Sequence, residues 1–302
     1  MDTQSLKAFL AVAQTSSFSQ AAEQLHLTQP AISKRIAVLE TQVGSRLFDR
    51  IGRRINLTEA GRLLMPRAHQ ILAMFDDTRR ALSNLQGDVQ GSLVLATSHH
   101  VGLHRLPPLL KHFTRKHPAV RLDMRFLDSE KAYAGVLSGD LELGIVTMSP
   151  APNPALVSVP VWTDRLRFVC AQDHPLATHP VSQLADLSHY PAVLPGEMTF
   201  TRGIVMESFA REQLNIDVAM STNYLETLKM MVTIGLGWSV MPETMISDDM
   251  VVLPLEHPPI ERPLGYLFHR HRTLSNAARA IIDLLEQARR LPHAINEAQQ
   301  SA

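Results

Sequence analysis

The chain has 302 residues, 45% hydrophobic and 19% charged, with a formal net charge of zero, which is a globular composition and not a disordered or fibrous one. That length exceeds one usual core and implies more than one domain. No apolar run approaches the ~18 residues of a membrane span, and an amphipathic helix stands where a secretory leader would be, so a cytoplasmic protein is expected.

Leu6, Phe9, Leu10 and Ala13 recur at i, i+3, i+4, i+7 and set a first helix. Ser17 is placed to cap a second helix, with Gln20 completing a capping box, and Ala21, Ala22 and Leu25 suit close helix packing. Thr28 is placed to cap a third, where Pro30 in the first turn loses no helical hydrogen bond. Ile32, Ile36, Leu39 and Val43 form one apolar face of that helix, leaving Gln29, Pro30, Ser33 and Lys34 outward near its start. This is the pattern of a helix-turn-helix with its recognition helix. Gln pairs with adenine, Ser and Lys reach base edges or phosphate, the Pro ring meets a thymine methyl, and Arg35 is set toward phosphate. Between residues 30 and 62 seven Lys and Arg stand against three acids in a chain that is neutral overall. The excess falls where a polyanion-binding face needs it, with Arg50, Arg53 and Arg54 in a wing loop behind the helix. Thr28, Gln29, Pro30, Ser33, Lys34, Arg35, Arg50, Arg53 and Arg54 are therefore the candidate DNA-binding residues.

A long helix is expected over 58–85, where Leu64, Ala68, Ile71, Phe75, Thr78, Leu82 and Leu85 alternate at four and three residues, with Pro66 as a possible kink. Such a seam needs a partner, most simply the same helix of a second subunit. Past the polar hinge 86–92, strands and helices alternate: a strand at 93–96, a helix at 106–117, a strand at 120–126, a helix at 129–138 and a strand at 141–146. That order argues for a mostly parallel sheet. Beyond the proline-rich run 149–154 a second set follows, with strands near 166–171, 191–194, 216–220, 238–241 and 264–268 and a last helix over 275–290. Crossovers near 160–164 and 262–267 imply two subdomains around a cleft that closes on a small ligand. The carboxyl ends of the strands point to Thr97, Ser98, His99, His100, Ser129, Thr147, Thr199, Phe200, Thr201 and Arg202 as the effector-binding residues. Hydroxyls beside free backbone N–H groups, with His or Arg as counter-charge, suit a small organic anion; the bland reading is that these Ser and Thr are ordinary helix caps.

His99, His100 and His104 raise metal binding, but no nearby Cys or carboxylate completes a ligand set, so no metal is expected. Cys170 cannot form an intrachain disulfide and reads as a small core residue. An enzyme using Cys170 with His174 is the chief rival function, yet no third orienting group and no nucleophile elbow, P-loop or dinucleotide fingerprint accompanies them. No catalytic residue or cofactor is expected. A solute-binding protein for transport is the second rival, and a DNA-reading segment in front argues against it.

Residues 17–22, Thr28-Gln29-Pro30-Ala31-Ile32-Ser33, Leu47-Phe48-Asp49-Arg50 and Leu57-Thr58-Glu59-Ala60-Gly61 resemble the winged helix-turn-helix of LysR-type transcriptional regulators. The rest of the chain is similar to their effector-binding domain, most clearly at Gly235-Leu236-Gly237-Trp238-Ser239-Val240-Met241-Pro242. The resemblance implies an all-α winged helix-turn-helix domain (1–60), a linker and dimerisation helix (58–88), and an α/β effector-binding domain of periplasmic-binding-protein type (91–295). Its subdomain I takes 91–161 and 267–295, and subdomain II takes 162–266. The implied partners are double-stranded DNA with an inverted-repeat operator, a small effector, a second copy through the linker helix, usually within a tetramer, and RNA polymerase as a further candidate.

Overall fold

The computed structural model describes residues 1–290 except Gly52, Arg53, Pro180 and Pro259. The chain divides into two compact units, residues 1–86 with 138–140, and 87–137 with 141 onward.

The first unit carries α1 (Thr3–Thr15), α2 (Phe18–Gln24), α3 (Gln29–Val43), β1 (Phe48–Ile51), β2 (Arg54–Leu57) and α4 (Glu59–Asn84). Leu6, Phe9 and Val12 of α1 bury against Ala21 of α2 and against Ile32, Ile36 and Leu39 of α3, and Phe48 closes the core with ring contacts to Phe9 and Phe18. Val43, expected on the apolar face, is 38% exposed because α3 outruns the core there. Asp2, Ser17, Thr28 and Thr58 cap the four helices through their side-chain oxygens. The Ser17 N–H goes to the Thr15 hydroxyl, so the reciprocal half of the expected capping box is supplied from α1 and not by Gln20. The wing is an antiparallel hairpin of β1 and β2, with Phe48 opposite Leu57. It is held to α3 by the Glu40 carboxylate, which accepts from the Leu47 and Phe48 N–H groups at 2.7 and 3.4 Å. Pro66 does not end α4, which runs 26 residues.

The second unit contains β3 (Gly91–Thr97), α5 (His99–His104), α6 (Pro107–Lys116), β4 (Val120–Phe126), α7 (Ser129–Ser138), β5 (Leu143–Thr147) and β6 (Leu156–Ala171). There follow α8 (Pro175–Thr178), α9 (Leu184–Leu187), β7 (Ala192–Leu194), α10 (Phe200–Arg211), β8 (Val218–Ser221), α11 (Leu225–Thr233), β9 (Ser239–Pro242), β10 (Met250–Val252), β11 (Ile260–His269) and α12 (Asn276–Arg290). Strand order in the main sheet is β10-β6-β11-β5-β3-β4, with β9 beside β6. β4, β3 and β5 are parallel, as the alternation of strands and helices requires, while β11 returns antiparallel.

Two cores build two lobes. In the first, Leu93, Leu95, Phe113, Leu143, Ile145 and Leu264 pack with Ile281 and Leu285 of α12. In the second, Trp238 stacks on Phe209 at 5.5 Å and donates its indole N–H to Leu187 and Tyr190 carbonyls. The antiparallel pair β6 and β11 serves both lobes, running from Leu156–His269 at one end to Leu166–Ile260 at the other. Half of β6 escapes the sequence pattern, because Pro160 and Asp164 interrupt its alternation; a register shift at Leu264/Gly265, opposite Pro160, accommodates the proline. A Cβ on Gly265 would stand 2.0 Å from the Val159 carbonyl oxygen.

Gly265→Ala is therefore expected to cost about 1–3 kcal/mol through forced backbone movement. Gly203→Ala, in α10 with nothing within 4 Å of the new methyl, should be neutral or gain about 0.4–1 kcal/mol. Urea unfolding of the two variants checks the contrast; equal effects would show that the close approach is not what requires glycine at 265.

Candidate functional site

In the first unit the start of α3 is raised clear of the core. Thr28, Gln29, Pro30 and Lys34 are exposed and Ser33 is half-buried, while Ile32, Ile36 and Leu39 of the same helix are at most 3% exposed. Gln29 and Ser33, one turn apart, hydrogen-bond through Nε2 and Oγ at 2.9 Å, which orients the Gln29 amide in advance of any base contact. Arg35 is turned the other way and donates to Gln4 of α1 at 3.2 Å. Arg50 lies in β1 and Arg54 in β2, on strands and not in an irregular loop; Arg53 lies outside the described residues.

In the second unit, residues of both cores line a pocket enclosing about 70 Å³ of free space. Ser98, His99, His100, Ser129 and Thr147 reach it from the first lobe, and Thr199, Phe200 and Thr201 from the second. Two expected residues do not. The Thr97 hydroxyl is spent inside the sheet on the Ile145 carbonyl at 2.8 Å, and the Arg202 guanidinium turns inward to the Pro195 carbonyl and the Ser221 hydroxyl, both at 3.1 Å. Neither side chain is among those lining the pocket.

The floor of the cleft holds a buried ion cluster that sequence reading missed. Asp164 sits on β6 and Arg262 on β11, directly opposite in the register. Asp164 accepts from Arg262 at 2.6 Å, from His100 Nε2 at 3.0 Å and, on its other oxygen, from Arg105 at 2.9 Å. Two guanidiniums thus face one carboxylate, and the cluster carries surplus positive charge. Burial works to raise the Asp164 carboxyl, but the His100 hydrogen bond and the Arg262 charge prevail and hold it well below the carboxylate range. Burial is the largest influence on His100 and lowers its imidazole; the Asp164 hydrogen bond opposes this and Arg262 adds to it. Neither His100 Nδ1 nor Arg262 Nε has a hydrogen-bond partner, although both are buried. Only strand pairing brings 164 and 262 together, so no local signal could have flagged them.

Further groups link the lobes at the cleft mouth. His99 packs its ring against Phe126 at 5.2 Å and Tyr224 at 4.6 Å, and His104 meets Glu226 at 3.0 Å. Asn223 donates to Asp128 at 3.0 Å, and the Glu130 carboxylate accepts the Phe200 N–H at 2.6 Å. The His100 and His104 rings lie 5.0 Å apart at a tilt of 45°, with a carboxylate on each, and among the described residues no cluster of His, Cys, Asp or Glu is grouped to hold a metal. Burial pushes the Cys170 thiol up to about 11, so it stays protonated, and His174 Nδ1 is occupied in accepting the Leu176 N–H.

Two family models match the chain: the LysR substrate binding domain over residues 86–290, and the bacterial regulatory helix-turn-helix protein, lysR family, over residues 3–62. A relative from Azotobacter vinelandii, described as an uncharacterized HTH-type transcriptional regulator in the ibpB-leuC intergenic region, is 69% identical over 108 residues, covering 36% of this chain and 75% of the relative. Among solved structures, full-length CbnR complexed with its target DNA superposes with a TM-score of 0.62 at 21% identity, covering 95% of this chain and all of that one. The effector binding domain of QuiR in complex with shikimate superposes at 0.59 with 20% identity, covering 67% of this chain and 98% of that one.

The lowered imidazole of His100 sets a sign for the pH dependence. Below the ordinary value of 6.5 the unfolded chain binds the proton that the folded cluster refuses, so the stability contribution is complete above 6.5 and is lost as pH falls toward the folded value. His100→Gln should flatten the acid side of a stability-versus-pH curve just below 6.5, by up to about 1.4 kcal/mol per pH unit. Denaturant titrations at a series of pH values measure it; parallel curves for the two proteins would contradict the assignment.

Proposed function

The chain belongs to the LysR family of transcriptional regulators, and on that premise we propose that it is a cytoplasmic regulator that reads an inverted-repeat operator as a homo-oligomer and responds to a small organic anion. It is a transcriptional regulator with an effector-binding domain, not an enzyme. The observation that carries the DNA-binding reading is the exposed start of α3, with Gln29, Pro30, Ser33 and Lys34 set on a buried apolar anchor. Gln29, Pro30, Ser33 and Lys34 read base edges, while Thr28, Arg35 and the wing residues Arg50, Arg53 and Arg54 hold phosphates and give the binding its salt dependence. That CbnR is solved with its target DNA supports this use of the shared fold.

The oligomer forms through α4. On this helix Ile71, Phe75, Leu82 and Leu85 are 39%, 56%, 63% and 82% exposed in the single chain, an apolar seam that a second copy covers. Paired winged units then place half-sites about one helical turn apart or a multiple of it. Among the described residues no helix is long and apolar enough to cross a membrane. RNA polymerase is the further partner such a regulator meets.

Surplus positive charge at the cleft floor supports an anionic effector, which Ser98, His99, His100, Ser129, Thr147, Thr199, Phe200 and Thr201 surround. That the effector binding domain of QuiR is solved in complex with shikimate supports a small organic ligand for the shared fold. Ligand-driven movement of the lobes alters how the paired winged units sit on DNA.

Arg54→Ala is expected to weaken binding to operator and random duplex alike and to shallow the salt slope by about 1, whereas Ser33→Ala changes sequence preference at one position by about 1–3 kcal/mol. Fluorescence anisotropy on both duplexes at several salt concentrations separates them, and equal losses everywhere in both variants would end that division of roles. In a thermal-shift screen, carboxylates should raise the unfolding midpoint with dose while neutral analogues do not; stabilisation confined to neutral compounds would reverse the charge assignment.

A further inference from the structure

The amino terminus of α10 opens onto the cleft, and a carboxylate of the protein itself already occupies it. Thr199 caps this 12-residue helix through its hydroxyl, leaving the Phe200 N–H free of helical partners, and Glu130 of α7 accepts that N–H at 2.6 Å from the opposite lobe. The Phe200 ring is seated against Tyr133, one turn along α7, with centroids 5.5 Å apart. Beside the same helix start, the Arg262 guanidinium reaches the Thr201 hydroxyl at 3.5 Å and is 5% exposed with its Nε unpartnered. His100, 6% exposed with Nδ1 unpartnered, lines the same wall. Buried donors and a helix start therefore converge on one region, and the carboxylate on that helix start is Glu130.

We propose that Glu130 is a built-in competitor: its carboxylate stands in for that of the effector at the start of α10, and an effector carboxylate binds by displacing it. This deepens the anionic-effector reading and rests on it. It makes Glu130 a specificity-determining residue, because a ligand without a carboxylate or similar oxyanion gains nothing by driving Glu130 off the Phe200 N–H. It also ties occupancy to lobe contact, since the group displaced is one that joins the two lobes. Asp128, two residues before Glu130, accepts from Asn223 and preserves a second link when Glu130 leaves.

The test uses the full chain with sodium acetate as probe, at constant ionic strength against chloride. In Glu130→Ala the vacated position should take acetate, and the unfolding midpoint should rise saturably by about 2–4 °C, while the parent protein shows little response. Glu130→Gln keeps the length and a carbonyl acceptor without the charge, so it should fold and give an intermediate response. Acetate responses that are the same in all three proteins, whether absent or equal, would overturn the proposal. If large carboxylates stabilise the parent protein while Glu130→Ala and Glu130→Gln show no gain with acetate, the effector reading stands and the role of Glu130 is lost. If the acetate response follows the expected order but the parent protein answers only to neutral compounds, the helix start does take carboxylates and the effector reading fails instead.

Discussion

The effector unit is organised around one buried carboxylate. Asp164 lies on β6 where that strand passes from one lobe to the other, directly across from Arg262 on the returning strand β11. A carboxylate withdrawn from water to 1% exposure is tolerable only when its oxygens are fully engaged, and Arg262, Arg105 and His100 engage them. Removing one such partner typically costs about 3–5 kcal/mol, because the remaining charge is left buried without compensation. Asp164 thus ties His100 and Arg105, at α5 and just after it, to Arg262 of β11.

Its stoichiometry shapes the cleft as well. Two guanidiniums against one carboxylate leave the floor short of negative charge, and the acids at the mouth, Asp128, Glu130 and Glu226, each reach for a donor of the facing lobe. A coupling worth about 1–3 kcal/mol corresponds to a change in DNA affinity of five- to 150-fold, so exchanging one or two such polar contacts is of sufficient size for regulation.

The DNA-binding unit follows another logic. Its cohesion is apolar, supplied by Phe9, Ile32, Ile36, Leu39 and Phe48, and polar groups serve at the edges as caps and as the Glu40 tie to the wing. Because the anchor of α3 is interior and short in period, the first turn of the helix is left free to present side chains. That face is preset by the local bond from Gln29 to Ser33.

Sequence by itself determined the features that depend on neighbours along the chain. The caps at Ser17 and Thr28, the apolar period of α1 and α3, the long helix after the wing, and the parallel strand and helix alternation of the first lobe are all local, because hydrogen bonds to the next turn and side-chain periodicity act within a few residues. Several loop ends that line the cleft were legible for the same reason, being strand termini followed by helix starts. Tertiary structure alone decided which polar residues turn inward. Thr97 and Arg202 were claimed by the Ile145 carbonyl, Pro195 and Ser221, and the first half of β6 became strand only because β11 pairs with it. The cluster of residues 100, 105, 164 and 262 spans 162 positions of the chain, and long-range pairing of this kind leaves no periodic trace, since its energy depends on distance in space and on exclusion of water.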